Sequence, residues 1–399
     1  MDDQRGIGGR IARQRRRRGL SQQAVAGLVR RSESWLSQVE RGVSRIDSHS
    51  VLERLAQVLG VSISELVDAG HPGAESRYQP GEGIREAMLR YDGLSPSSGR
   101  AESLHWMRLE LHRINRLYQS ARYDEAGQRL PDLIRAAERG RQAVPRKHRR
   151  PADTLKALIY HCAATVLTRV DEPDLAWSAA DRSLAAAGDA DRPLLAAVSA
   201  YRLGYTLIKM RRAEQARDLA VRAAESLRGG QQRADAILDS VRGGLHLVAA
   251  SAAAHAFDRA GTEAHLAQAM SIADRIGHER NDFWTAFGIT NIQIHRLSSA
   301  ITFGDAKLAV TLGEALDLSR LPVSLLGRRA QVHLDLARAY TVQRKDAAAV
   351  HTLLEAERLS PQLIRYDQRT RDVLAQLVKR EHRPSTPQLR DLARRAGVV

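Results

Sequence analysis

From Ala101 onward a small residue recurs near the start of every second helical segment, and this periodicity restricts the fold more than any other feature. Ala126, Ala176, Ala216, Ala264, Ala306 and Ala349 stand about 40 to 50 residues apart. Each follows a long amphipathic segment and a short polar break, so each reads as the anchor of a helical hairpin. Small anchors let two antiparallel helices approach, while larger residues fill the groove against the next pair. No such hairpin buries its apolar face alone, so the six must stack. Aromatic residues make up 4% of the chain, which suits close helix packing better than sandwiches or barrels. The expectation is an all-α protein.

In the last copy Leu336, Ala337, Tyr340, Ala349, Leu353, Ala356 and Pro361 fall at the offsets of a tetratricopeptide repeat, and this part of the chain resembles that family. Leu203, Gly204, Leu207, Ala216, Ala220 and Ala223 repeat the pattern in the third copy, and the other copies are longer and degenerate. Thr386 as N-cap, Pro387 at the first helical position and Gly397 past the last turn predict a final helix that closes the array.

Upstream, Gly70, Pro72, Gly73, Pro80, Gly81, Gly83, Gly93 and Pro96 would interrupt any long helix. The expected organisation is an N-terminal domain over 1–70, a linker over 71–100 holding one short helix from Ile84 to Tyr91, and a sensor or dimerisation domain over 101–399. From Ile7 to Leu66 apolar residues recur at helical spacing in short runs. Ser21 can cap a helix through Val25, Ala26 and Val29, and Ser32 a second through Leu36 and Val39. Ala26 is the small residue at their crossing. The second helix then turns Glu33, Ser34, Ser37 and Gln38 outward, a set of short polar groups that fits the major groove.

The run from Ile7 through Gly19-Leu20, Ser21-Gln22, Ser32 to Gly42 and Val51 to Val61 resembles the lambda-repressor-like, or xenobiotic-response-element, helix-turn-helix family. The triplet Glu40-Arg41-Gly42 and the close Leu59-Gly60-Val61 are especially similar. The resemblance implies that Gln22 contacts a phosphate and braces the recognition helix, that Arg41 and Arg45 contact phosphates, and that Glu40 pairs with Arg15. The expected DNA-binding set is Gln22, Gln23, Ser32, Glu33, Ser34, Ser37, Gln38, Arg41 and Arg45. Three positions depart from the family. Arg30 stands where the turn usually has glycine, which demands a left-handed arginine or a shifted turn. Gln14 replaces an apolar residue, and the loop between Gly42 and Val51 is one residue longer. Trp35 is read as a packing residue, and Arg13 to Arg18 fits either a solvated face or phosphate contact.

A net charge of +16 favours polyanions. Residues 1–70, however, carry 12 basic against 8 acidic residues, so charge does not locate the interface. On the repeats, registering first helices from the anchors gathers Asn115, Tyr118, His161, Thr165, Thr168, Tyr201, Tyr205, Asn291, His295, Ser298 and Arg338 on the concave face. Amides, hydroxyls and imidazoles there can hydrogen-bond an extended peptide backbone. The expected effector contacts are Asn115, Tyr118, His161, Thr165, Tyr201, Tyr205, Asn291, His295 and Arg338. A helix-turn-helix ahead of such repeats resembles the peptide-sensing regulators of Gram-positive bacteria, which implies a peptide, small-molecule or protein effector.

No serine elbow, phosphate loop or metal-ligand spacing occurs, so no catalytic residue, metal or cofactor is expected. The single cysteine, Cys162, and the lack of a leader or an apolar span point to the cytoplasm without membrane attachment. The function expected is a bacterial transcription regulator that binds double-stranded DNA as a homodimer. The alternative is a protein-interaction scaffold or antitoxin-like partner with secondary DNA binding.

Overall fold

The computed structural model describes residues 7–44, 46, 48–59, 61, 66, 80–91, 102–227, 235–382 and 384–399. It is all-α, and two compact units span 1–78 and 79–399. Among the described residues the only β-type pairing is one isolated bridge, Arg280 to Phe287, and no helix is long and apolar enough to cross a membrane.

The first unit contains α1 (Ile7–Arg17), α2 (Gln22–Leu28), α3 (Glu33–Glu40) and α4 (His49–Leu59). Its core joins Ile11, Val25, Ala26, Val29, Leu36, Val39, Leu55 and Leu59, all buried, which are the apolar positions at helical spacing.

The second unit opens with α5 (Pro80–Leu89), whose Ile84 and Met88 enter the core of the first hairpins while Leu89 stays exposed. Six antiparallel hairpins follow: α6 (Leu104–Gln119) with α7 (Tyr123–Ala143), α8 (Arg149–Arg169) with α9 (Pro173–Asp189), and α10 (Pro193–Lys209) with α11 (Ala213–Ser226). Then come α12 (Ala236–His255) with α13 (Arg259–Ile276), α14 (Ile289–Thr302) with α15 (Ala306–Glu314), and α16 (Leu326–Val342) with α17 (Asp346–Leu359). The chain ends in α18 (Pro361–Tyr366), α19 (Gln368–Lys379) and α20 (Leu389–Arg395). The basic run 135–150 is mostly the end of α7 and the start of α8.

The anchor is the fourth residue of each second helix. Ala126, Ala176, Ala216 and Ala349 hold it as expected, all fully buried. In the other two hairpins the expected register was wrong. Thr262 and Ala309 occupy the buried place, while Ala264 is exposed and Ala306 half-buried. A hydroxyl passes in the fourth copy because Thr262 donates to the Asp258 carbonyl at 2.7 Å and so needs no outside partner.

One turn closes all six hairpins. Two residues past the first helix the backbone turns left-handed, at Ala121, Asp171, Arg211, Phe257, Gly304 and Arg344. The next N–H then reaches back to a carbonyl five residues earlier, for example Arg212 to Leu207 at 2.8 Å and Lys345 to Tyr340 at 2.9 Å. Those bonds satisfy the orphan carbonyls at the helix end, and only one of the six positions is glycine.

The array also closes on itself. Ala121 and Tyr123 at the first hairpin's turn share a core with Ala330, Leu334, Leu363 and Leu374. Asp124 accepts from Arg365 at 2.5 Å and from the Tyr366 hydroxyl, and the Asp124 amide donates to Gln362 at 3.0 Å. The terminal helix differs from expectation. Thr386 is buried with its hydroxyl on the His382 carbonyl, and α20 starts beyond a left-handed Gln388 without a side-chain cap. Gly397 does end it, at φ 73°.

Candidate nucleic-acid interface

Ser21 caps α2 by accepting from the Ala24 amide at 3.1 Å, and Ser32 caps α3 by accepting from Trp35 at 3.2 Å. Val25, Ala26, Leu36 and Val39 face inward. Between the helices Arg30 adopts φ 56°, so the turn keeps its shape with a left-handed arginine instead of shifting. Arg31 then donates to the Ala26 carbonyl at 2.9 Å, the same closure that the repeat hairpins use. Gly42, at φ 75°, ends α3.

This leaves Glu33 and Ser34 exposed and Ser37 and Gln38 half-buried. At offsets of one, four and five they share a helix face. Ser32 and Gln23 are exposed beside them and Arg41 is exposed at the C-terminal end. Arg45 lies outside the described residues. Trp35 packs against the core rim with the Arg31 guanidinium 5.5 Å from its ring centre.

Arg15 grips Glu40 with both arms, Nε to Oε1 at 2.6 Å and Nη2 to Oε2 at 2.9 Å. Gln22 donates its side-chain amide to the same Oε2 at 2.7 Å. Burial opposes the Glu40 charge, but these bonds outweigh it and hold the carboxyl below the usual range. Gln22 thus braces α3 through Glu40, and one of its two amide hydrogens is left for another acceptor.

Gly8 was not foreseen. A Cβ there would lie 1.8 Å from the Val39 carbonyl oxygen, so only glycine lets α1 reach the backbone of α3. The paired glycines within an otherwise helical run were the available signal.

On the repeats, the residues expected on the concave face are mostly buried, and their polar groups bond within the array. Asn115 donates to the Leu111 carbonyl at 2.9 Å and Thr165 to the His161 carbonyl at 2.8 Å. His295 bonds Ser251 at 3.1 Å and Tyr205 at 3.3 Å, and Tyr201 donates to the Thr285 carbonyl at 3.3 Å. Ser298 and Arg338 converge on Asp335, and Arg338 also reaches Asp367. Burial, helped by Arg202 and Arg328, pushes His161 and His295 down to about 3, so both imidazoles are neutral at pH 7. Burial works against ionising Tyr118, yet Arg169 and Arg202 draw its hydroxyl below the usual range. Asn291 is fully buried, and neither side-chain amide atom has a partner among the described residues.

A comparison with curated proteins finds no match. Among solved structures, similarity extends to PlcR of Bacillus thuringiensis in complex with the peptide PapR7 and DNA, at 12% identity and a TM-score of 0.34, over 89% of this chain and 99% of that one. Residues 7–69 match the family described as helix-turn-helix domain. Match and geometry cover the same segment, and the chain carries a helix-turn-helix domain at its N-terminal end.

Proposed function

We propose that the protein is a sequence-specific, DNA-binding transcription regulator that inserts α3 into the major groove. The observation that carries this reading is the division of labour on α3. Val39 and Leu36 are buried and Glu40 is held by Arg15 and Gln22, while Glu33, Ser34, Ser37 and Gln38 share the opposite, accessible face. Base-edge contacts come from that face, and phosphate contacts from Gln22, Arg41 and Arg45. Gln23 and Ser32 flank the groove.

A homodimer is part of the reading, because one small module covers too little DNA for high affinity and paired half-sites lie about one helical turn, ~34 Å, apart. An effector acting on the repeats is also part of it. Its proposed contacts are Asn115, Tyr118, His161, Thr165, Tyr201, Tyr205, Asn291, His295 and Arg338, and the support for them is Asn291, whose buried side-chain amide has no hydrogen-bond partner among the described residues. The reading assigns no chemistry to the chain.

Selection of bound duplexes from a random pool by the full-length chain tests the proposal. The expected product is a two-fold related motif, and recovery of unenriched sequence would overturn it.

A further inference from the structure

Helices α13 and α14 are joined by residues 277–288, a connection longer than the few residues usual between packed helices. This strap runs back to the first hairpin. Gln119 on α6 donates to Asn281 at 3.2 Å, and the Trp284 ring meets His112 edge-on at 5.8 Å. Its base is tied to α12, where Phe287 packs on Gly243 so closely that a Cβ there would sit 2.0 Å from the ring. An Arg280–Asp282 pair at 2.5 Å stiffens it. Phe283, Trp284 and Ala286 are all left-handed, at φ 47°, 61° and 55°, a costly conformation for such side chains.

Under the strap lies a cavity of about 690 Å³, bounded by α6, the start of α8 and the turn between α9 and α10. The size suits a small organic molecule. Leu111, Leu155, Leu158 and Trp284 supply an apolar wall, and Arg108, Arg150 and Arg192 supply cations. Asp191 is the one carboxylate in the lining and pairs with Arg150 at 3.0 Å. Arg108 and Arg192 have no carboxylate partner among the described residues. The first turn of α8 adds its positive dipole end, and no side chain caps it. No residue expected from the sequence to contact an effector lines this cavity.

We propose that the cavity is a binding site for an amphipathic organic anion, with the acid group between Arg108 and Arg192 and the aromatic or alkyl body against Trp284 and the leucines. The site is separate from the DNA-binding reading and is tested without DNA. The full-length protein is titrated with anilinonaphthalene sulfonate, followed by fluorescence, and the bound probe is challenged with decanoate or with uncharged decanol. The expected result is one saturable site per chain, emptied by decanoate and not by decanol. Affinity should fall about tenfold in the Arg108→Ala, Arg192→Ala double variant and stay unchanged in Lys307→Ala, a surface cation elsewhere, with equal thermal melting in all three proteins. Absence of saturable binding, equal displacement by decanol, or unchanged affinity in the double variant would overturn the proposal.

Discussion

Glu40 at the end of α3 is held by both guanidinium arms of Arg15, 25 positions earlier, at 2.6 and 2.9 Å. The carboxylate side chain is 5% exposed, so loss of its partner leaves a charge with little water to replace it. Arg15→Ala should therefore loosen α3 by about 2 kcal/mol, read as faster amide exchange over residues 33–40. The folded state holds the Glu40 carboxyl below its unfolded value. Its contribution is thus complete above the unfolded pKa of about 4.3 and is lost as pH falls through the lower folded value. Glu40→Gln should lack that acid-side loss. Equal exchange in wild type and Arg15→Ala would contradict the bracing role.

Gly8 and Val39 set the distance between α1 and α3. Gly8→Ala gains up to about 1 kcal/mol of helix propensity, but a methyl group 1.8 Å from a carbonyl oxygen has no side chain to push aside. The clash should win, for a net loss of about 2 kcal/mol in denaturant unfolding of the first unit. Weaker DNA binding should follow, because α3 is displaced.

Arg30→Gly should act the other way. The arginine sits at φ 56°, which glycine adopts freely, so the turn should gain about 1 kcal/mol. An unchanged or lowered unfolding midpoint would show that the arginine side chain repays its backbone cost.

Gln38 and Arg41 should separate under DNA-binding assays. Gln38→Ala should relax preference at one base position and cost about 1 to 3 kcal/mol on the best site. Arg41→Ala should weaken all sequences alike and reduce the slope of log affinity against log salt by about 1. Identical slopes for wild type and Arg41→Ala would remove the phosphate assignment.

Ring closure of the repeats should be sensitive to alkali. Burial and the Asp124 carboxylate push the Tyr366 hydroxyl up to about 12. The unfolded value is about 10, so this group's stabilisation is full below pH 10 and disappears as pH rises through about 12. Tyr366→Phe should cost about 1 kcal/mol at pH 8 and flatten that part of the pH profile. Asp124→Ala should cost more, because it also strands Arg365. Denaturant midpoints at a series of pH values would test both.

Much of this architecture was legible in the residues. Ser21 and Ser32 as caps, Ala26 at the crossing and the Arg15–Glu40 pair follow from rules that act within a turn or from a family pattern held residue by residue. At Arg30, by contrast, the residues left a left-handed arginine and a shifted turn both open, and the backbone decided for the first. Four of the six repeat anchors were legible for the same reason. The other two were misplaced because Thr262 and Ala309 look no more like anchors than the alanines at 264 and 306. What distinguishes them is burial against a neighbouring helix.

The sequence by itself determined that helices pair into hairpins, where α2 and α3 begin, and which face of α3 is polar, because caps, periodicity and small-residue spacing act over a few residues. Tertiary structure alone decided that Asp124 meets Tyr366 across 242 positions, that a strap carries Trp284 back to His112, and that the polar inner face is buried. Each of these depends on a small rotation between successive hairpins summed over six copies. No local pattern encodes that sum, so the closed array and the cavity under its strap became visible only when the whole set was stacked.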